Sequence, residues 1–216
     1  MTTSTFGMLI VASDIDVADE ADFNKWYDHE HVEERVRMAG VISAARYTSV
    51  AGNPKYLALY WAESLEVFSG PAYSQAFKQQ TQWSMATMNK MRAPMRRVGT
   101  VKAHAGQGTG GWVATMPLAG DDFSELDSRC TAVARRLAED ISFVQSYVLL
   151  PDDELSRPLP HEDMAKRQMN PLLIIESRTS VSNAAAADLA ASLFNVEGDR
   201  IARYQLNWKL ASEELR

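Results

Sequence analysis

The sequence predicts an α+β fold: two tandem β-α-β-β-α-β units, residues 1–106 and 107–216, closing into one pseudo-dimeric barrel. Three observations predict it. The hydrophobic period alternates between two residues and about 3.6 in that order, twice. A glycine-rich break, Gln107-Gly-Thr-Gly-Gly111, separates the two runs. Residue echoes also recur 100 positions apart: Phe23 with Phe123, Val41 with Ile141, Tyr47 with Tyr147.

In chain order, Phe6–Ser13 (FGMLIVAS) is a short apolar run ended by Asp14 and Asp16, and reads as a strand. Asp22 is a candidate N-cap for a helix that continues to Met38 and stops at Gly40. Val41–Val50 is a second strand. The turn cluster Ala51-Gly-Asn-Pro54 returns it as a hairpin into Tyr56–Ala62. Helical sequence fills about 65–92 with a break near Gly70-Pro71, and 96–104 (RRVGTVKAH) is the fourth strand. Beyond the linker, strands are predicted at 111–116, 141–150, 171–177 and 200–210, with helices at 123–139 and 182–194. Asn170-Pro171 repeats Asn53-Pro54 at a larger offset, so 151–169 is an insertion, read as a surface excursion in preference to a lid. Each unit is ferredoxin-like, with one bare sheet face, and two such faces bury each other.

A net charge of -6 disfavours nucleic acid and anionic membranes as partners. Arg92, Arg96 and Arg97 are the densest basic group and read as a solvated strand start. Cys130 is the only cysteine, which excludes an intrachain disulfide; its setting among Leu126, Val133 and Leu137 favours packing. No basic-plus-apolar leader and no run of membrane-spanning length is visible, so a cytoplasmic location is expected.

The segment Phe23–Tyr47 concentrates the chemistry. On an α-helical wheel Phe23, Tyr27, Glu30, His31, Glu34 and Met38 share one face, while Trp26, His29, Glu33 and Val36 lie on an adjacent one. His31 is the leading acid-base candidate, with Tyr27 one turn before it and Glu34 and Arg35 one turn after. The competing reading is a histidine that fixes helix on sheet. His29 is two residues from His31, not the four of a helical zinc pair, so no metal is expected. Arg46 is a candidate for stabilising an enolate or carboxylate oxygen, or else an ion-pair partner of the helix acids. Tyr47 points the other way and reads as structural.

Tyr56, Ala58 and Tyr60 share one face of the third strand, and Leu57, Leu59 and Trp61 the other. Val98, Thr100, Lys102 and His104 share a face of the fourth. Trp83, Met85, Met88 and Met91 form an adaptable apolar stripe. Candidate substrate contacts are therefore Trp26, Tyr60, Trp61, Trp83, Met88 and His104.

Trp26-Tyr27-Asp28, His31, Gly40-Val41 and Ala45-Arg46-Tyr47 resemble the first helix and second strand of the dimeric α+β barrel superfamily, closest to its EthD-like branch. The motif match covers about the first 62 residues, and Ala39-Gly40 stands where that pattern has Pro-Gly. The resemblance implies cofactor-free monooxygenases, cyclases, dehydratases, isomerases or haem enzymes. The main expectation is a cofactor-independent lyase, dehydratase, isomerase or cyclase acting on an aromatic or polyketide-like small molecule through His31. The alternatives are a non-catalytic binding or assembly module, and a haem- or oxygen-dependent monooxygenase. No cofactor and no metal are expected, and a homodimer is possible.

Overall fold

The structure is a computed structural model and describes residues 5–119 and 123–215, the latter stretch without the side chains of residues 123 and 124. Strand β1 (Gly7–Asp14) leads to helix α1 (Glu20–Trp26), a π-helical turn (Tyr27–His31) and helix α2 (Val32–Val36). Then come β2 (Val41–Ala51), β3 (Tyr56–Ala62), α3 (Pro71–Lys78), α4 (Gln82–Met88) and β4 (Arg92–Gly106). The remainder is β5 (Trp112–Pro117), α5 (Phe123–Leu137), β6 (Phe143–Pro151), β7 (Leu172–Ser177), α6 (Ser180–Phe194) and β8 (Ala202–Ala211).

The eight strands close into one barrel in the order β1-β3-β2-β8-β5-β7-β6-β4. All neighbours are antiparallel. The first four strands run β4-β1-β3-β2 and the last four β8-β5-β7-β6, so the same local order appears in each half. The halves are joined along two seams, β2 against β8 and β4 against β6, and closure leaves no free sheet edge.

Strand alternation sorts the side chains. Met8, Ile10, Leu57, Leu59, Tyr47, Tyr147, Leu149 and Ile174 fill the barrel interior, as an eight-stranded barrel requires. Leu9, Val11, Ala58 and Tyr60 face outward beneath the helices of the first half. There Phe23 and Trp26 are fully buried, each worth about 2–3 kcal/mol of apolar transfer. A separate apolar layer under α5 and α6 contains Cys130, which is buried, with its thiol pushed up to about 12 by burial. The packing reading of that cysteine holds.

Gly40 has φ +85, and a Cβ there would lie 2.6 Å from Val67 Cγ2. The helix itself ends at Val36, earlier than the Met38 expected, and Gly40 makes the turn into β2 where only a residue without a side chain packs so close.

Several expectations need correction. Helix α1 begins after Asp19, three residues before the Asp22 cap that was expected. Ile141 is 85 % exposed and precedes β6, whereas Val41 is buried in β2, so their 100-residue echo is not structural. The echo at Phe123 concerns a side chain outside the described residues. Tyr47 and Tyr147 do share one core.

Arg96 and Arg97 are 4 % and 6 % exposed, not a solvated strand start; only Arg92 is. The 151–169 segment runs over the surface with most of its residues exposed, but it is docked at a few points, Ser156 and Leu159 among them. Ser156 Oγ donates to the Val98 carbonyl and accepts from the Val98 amide, both at 2.9 Å, standing in for a strand partner where the β4–β6 ladder ends. Leu159 joins the helix-layer core of the first half.

Candidate functional site

The π turn builds the site. On an α-helical wheel residues five apart lie about 140° apart, which put Trp26 and His31 on different faces. The wider π turn over Tyr27–His31 overrides that wheel. The Trp26 and His31 rings approach to 4.4 Å between centroids, and Tyr27 meets His31 edge-on at 5.1 Å. His29, on the same turn, is exposed, as the surface reading expected.

The turn is held from two sides. Ser84 Oγ accepts from Trp26 Nε1 at 3.0 Å and donates to Glu30 Oε1 at 3.1 Å, while Thr81 Oγ1 donates to the same oxygen at 2.6 Å. Helix α4 is thereby fixed to the π turn, and Thr81 also caps α4 through the Ser84 amide. On the other side, Asp28 pairs with Arg46 of β2 and accepts from Trp208 Nε1 of β8 at 2.7 Å. Arg46 also donates to Asn24 Oδ1 at 2.9 Å, and its guanidinium lies 4.2 Å over the Tyr27 ring. Arg46 is thus fully engaged by the protein. It does not line the cavity described next.

That cavity, about 30 Å³, lies between the helices and the outward face of β1. His31, Trp26, Tyr27, Met88 and Tyr73 line it, closed by Phe77 and Gln80 from the α3 side and by Leu159 from the insertion. Two arginines complete the wall, Arg35 and Arg96, 5 % and 4 % exposed. Arg96 donates to the Leu155 and Arg157 carbonyls at 2.7 and 3.2 Å and to the Tyr73 hydroxyl at 2.8 Å. Arg35 makes no ion pair and no side-chain hydrogen bond among the described residues. No carboxylate lines the cavity.

His31 Nδ1 is buried without a hydrogen-bond partner, and the buried Tyr60 hydroxyl stands close to that of Tyr27. Burial, reinforced by the Arg35 and Arg46 charges, holds the His31 imidazole well below its ordinary pKa of 6.5, so it is neutral. Burial raises the Tyr27 phenol, against the opposing pull of Arg46. It raises Tyr60 further. The group as a whole is a neutral base and two phenols in a positive, poorly solvated environment.

The other proposed contacts lie elsewhere. Trp83 is half-buried and donates to Asp22 Oδ1 at 3.2 Å, at the rim of the helix layer. Met85 is 47 % exposed and leaves the stripe. Trp61 and His104 are on the opposite face of the sheet, at one end of the barrel. A bulge between Lys102 and Ala105, with Ala103 at φ 47, turns His104 away from the face of Val98 and toward Phe6, Trp61 and Tyr147. His104 is exposed there, its Nε2 2.9 Å from Gln145 Oε1.

Sequence reading missed Arg96, Tyr73 and Leu159 as cavity residues. Their common signal is long-range: a basic residue in an apolar strand, Arg96, needs buried carbonyl partners, and the proline-broken insertion supplies them. Glu176 was also missed. It is 1 % exposed at the barrel end, accepting from Gly110 N at 2.7 Å, Gln145 Nε2 at 3.0 Å and the Tyr147 hydroxyl at 2.9 Å. Burial raises its carboxyl above the usual range.

No helix among the described residues is long and apolar enough to cross a membrane. No protein-family model matches the chain, and no curated protein does. Solved structures do. An anthrone oxidase-like protein aligns at TM-score 0.66 and 13% identity, covering 99% of this chain and 95% of its own. A chlorite dismutase variant from Candidatus Nitrospira defluvii aligns at 0.56 and 9% identity, covering 96% and 93%. A haem-binding protein from Thermus thermophilus aligns at 0.51 and 10% identity, covering 97% and 92%. At such identities the likeness establishes architecture alone: the fold of this chain is that of the dimeric α+β barrel proteins.

Proposed function

We propose that the protein is a cofactor-independent enzyme in which His31 takes a proton from a small aromatic or polyketide-like substrate. The observation that carries this reading is the orphaned Nδ1 of a neutral, buried His31 in a cavity walled by Arg35 and Arg96 and free of carboxylates. A neutral imidazole is the form a general base needs. The proton comes from a C–H or O–H made acidic by a neighbouring carbonyl. The oxygen of the resulting anion meets Arg35, whose charge nothing else in the wall neutralises, in a medium of low dielectric. The Tyr60 hydroxyl, outside the cavity wall, stands close to that of Tyr27. Tyr27 orients the imidazole by its edge-on contact, and Arg46, engaged by Asp28, acts on the site through its field.

A cavity of about 30 Å³ holds little more than one water. Helix α3 buries only Tyr73 among its eight residues, so it is the element that yields to admit substrate. Phe77, 39 % exposed, marks the mouth.

A second reading has specific support, the structural likeness to an anthrone oxidase-like protein. The first step is the same deprotonation, and the carbanion then passes its electrons to dioxygen. A haem version would ask more of the residues: α3 would have to yield much further for a porphyrin at His31 than for a small aromatic substrate, and His104 is at an exposed rim.

The test is hydrogen–deuterium exchange at the acidic C–H of small phenolic ketones in D2O, followed by NMR, with oxygen consumption measured in parallel. Exchange without oxygen uptake fits the isomerase or lyase reading, and exchange with uptake fits the oxidase reading. Exchange equally fast with His31→Ala overturns both. We further read the chain as a tandem duplication of a ferredoxin-like unit, 1–106 and 107–216, supported by the shared strand order and by the pair Tyr47 and Tyr147.

A further inference from the structure

A second cavity, far larger than the one at His31, is a cleft of about 390 Å³ at one mouth of the barrel, within the size range of small-molecule sites. One wall is the barrel itself, presenting Ala12, Leu57, Met95, Leu172 and Tyr204. The other wall is the docked insertion. The floor is apolar, and the insertion side is charged.

The charge there has one sign in excess. Arg97, Lys166, Arg167 and Arg200 line the cleft against two carboxylates, Glu162 and Asp163, in a chain whose net charge is -6. The two deepest guanidiniums share one carboxylate. Glu162 Oε1 accepts from Arg97 at 2.6 Å and from Arg167 at 2.7 Å, with all three side chains at least nine-tenths buried. Beyond that shared carboxylate the two guanidiniums are held by the Gln168, Arg96 and Ser156 carbonyls, so one positive charge has no anion of its own. Arg200 stands at the rim and spends a single hydrogen bond on Gln168 Oε1 at 3.2 Å. Burying an uncompensated cation is costly, and an anion placed beside it recovers that cost. An apolar floor under a cationic rim selects a ligand with both characters.

We propose that this cleft is a second ligand site, separate from the His31 cavity, for an organic monocarboxylate with an apolar body. The carboxylate lies against Arg97, Arg167 and Arg200, and the body lies on the barrel wall near Leu57 and Tyr204. This inference does not depend on the activity assigned to His31.

The test is calorimetric titration of the full chain with 2-naphthoate and with uncharged 2-naphthamide. Naphthoate is expected to bind at least about tenfold more tightly, the worth of one charge-assisted contact. Arg200→Gln, at an exposed position, is expected to weaken naphthoate by about tenfold, and Asp163→Asn to tighten it by about threefold. His31→Ala is expected to leave it unchanged. Equal binding of acid and amide, insensitivity to both cleft substitutions, or loss with His31→Ala instead would each overturn the proposal. Unchanged circular dichroism and thermal midpoints for Arg200→Gln and Asp163→Asn show that the readings report the cleft.

Discussion

Arg96 and Arg97 are neighbours on β4 that reach into different cavities and grip the same segment from opposite faces of the sheet. Arg96 pairs across to Val11 on the helix side and holds the Leu155 and Arg157 carbonyls. Arg97 pairs across to Ile10 on the barrel side and holds Glu162 and the Gln168 carbonyl, the latter at 2.9 Å. The insertion is therefore a common wall, and its two ends report to two sites.

Removing Arg96 tests that clamp. Arg96→Met leaves two partly buried carbonyls and the Tyr73 hydroxyl without their donor, and is expected to cost about 2 kcal/mol in urea unfolding. Limited proteolysis is expected to cut the 152–168 segment faster. Resistance equal to the parent protein would show that Ser156 and Arg97 hold the segment alone.

His31 is expected to trade stability for chemistry. His31→Leu replaces an orphaned polar atom with an apolar group of similar size, so stability is expected to rise by about 1–2 kcal/mol while proton exchange is lost. The pH dependence has a fixed sign. Because the folded-state pKa is below 6.5, the unfolded chain binds the proton first, and this contribution is full above pH 6.5 and is lost as pH falls below it. The parent protein is thus expected to lose thermal stability more steeply than His31→Leu between pH 6.5 and 5. Parallel curves would place His31 in a solvated setting.

Asp28 joins the two halves. It holds Arg46 of β2 and Trp208 of β8. Asp28→Ala strands a buried guanidinium, and a loss of about 2–3 kcal/mol is expected, Asp28 being only partly buried. Chemical denaturation checks it. A smaller loss from Asp28→Asn, which keeps an acceptor, would separate hydrogen bonding from charge.

At the far end of the barrel, Glu176 gathers three donors. Glu176→Ala is expected to cost about 3 kcal/mol or more, since the Gly110 amide, the Gln145 amide and the Tyr147 hydroxyl all lose their acceptor. Near-ultraviolet circular dichroism is expected to show the Tyr147 signal change. An unaltered melting curve would mean that water replaces the carboxylate.

What was legible in the sequence was whatever strand alternation governs. The split between Tyr56, Ala58, Tyr60 and Leu57, Leu59, Trp61 was readable because the period of two has no slack. The same rule failed at His104, where one bulge inverts the face. The helical wheel failed at Trp26 and His31 because one π turn changes the period within a single helix. His31 itself was found, with Arg35 one turn after it, but Arg96 was not, since its burial depends on a segment about 60 residues further along the chain.

That segment belongs by sequence to the second half, between β6 and β7, yet it walls the helix layer of the first. A symmetric pair of identical subunits would have to carry such a loop twice and satisfy both copies. A single polypeptide carries it once. One half is thereby free to become the other's lining, and cutting the chain at the glycine-rich linker would expose Arg96 and Arg97 with their carbonyl and carboxylate partners on the wrong fragment.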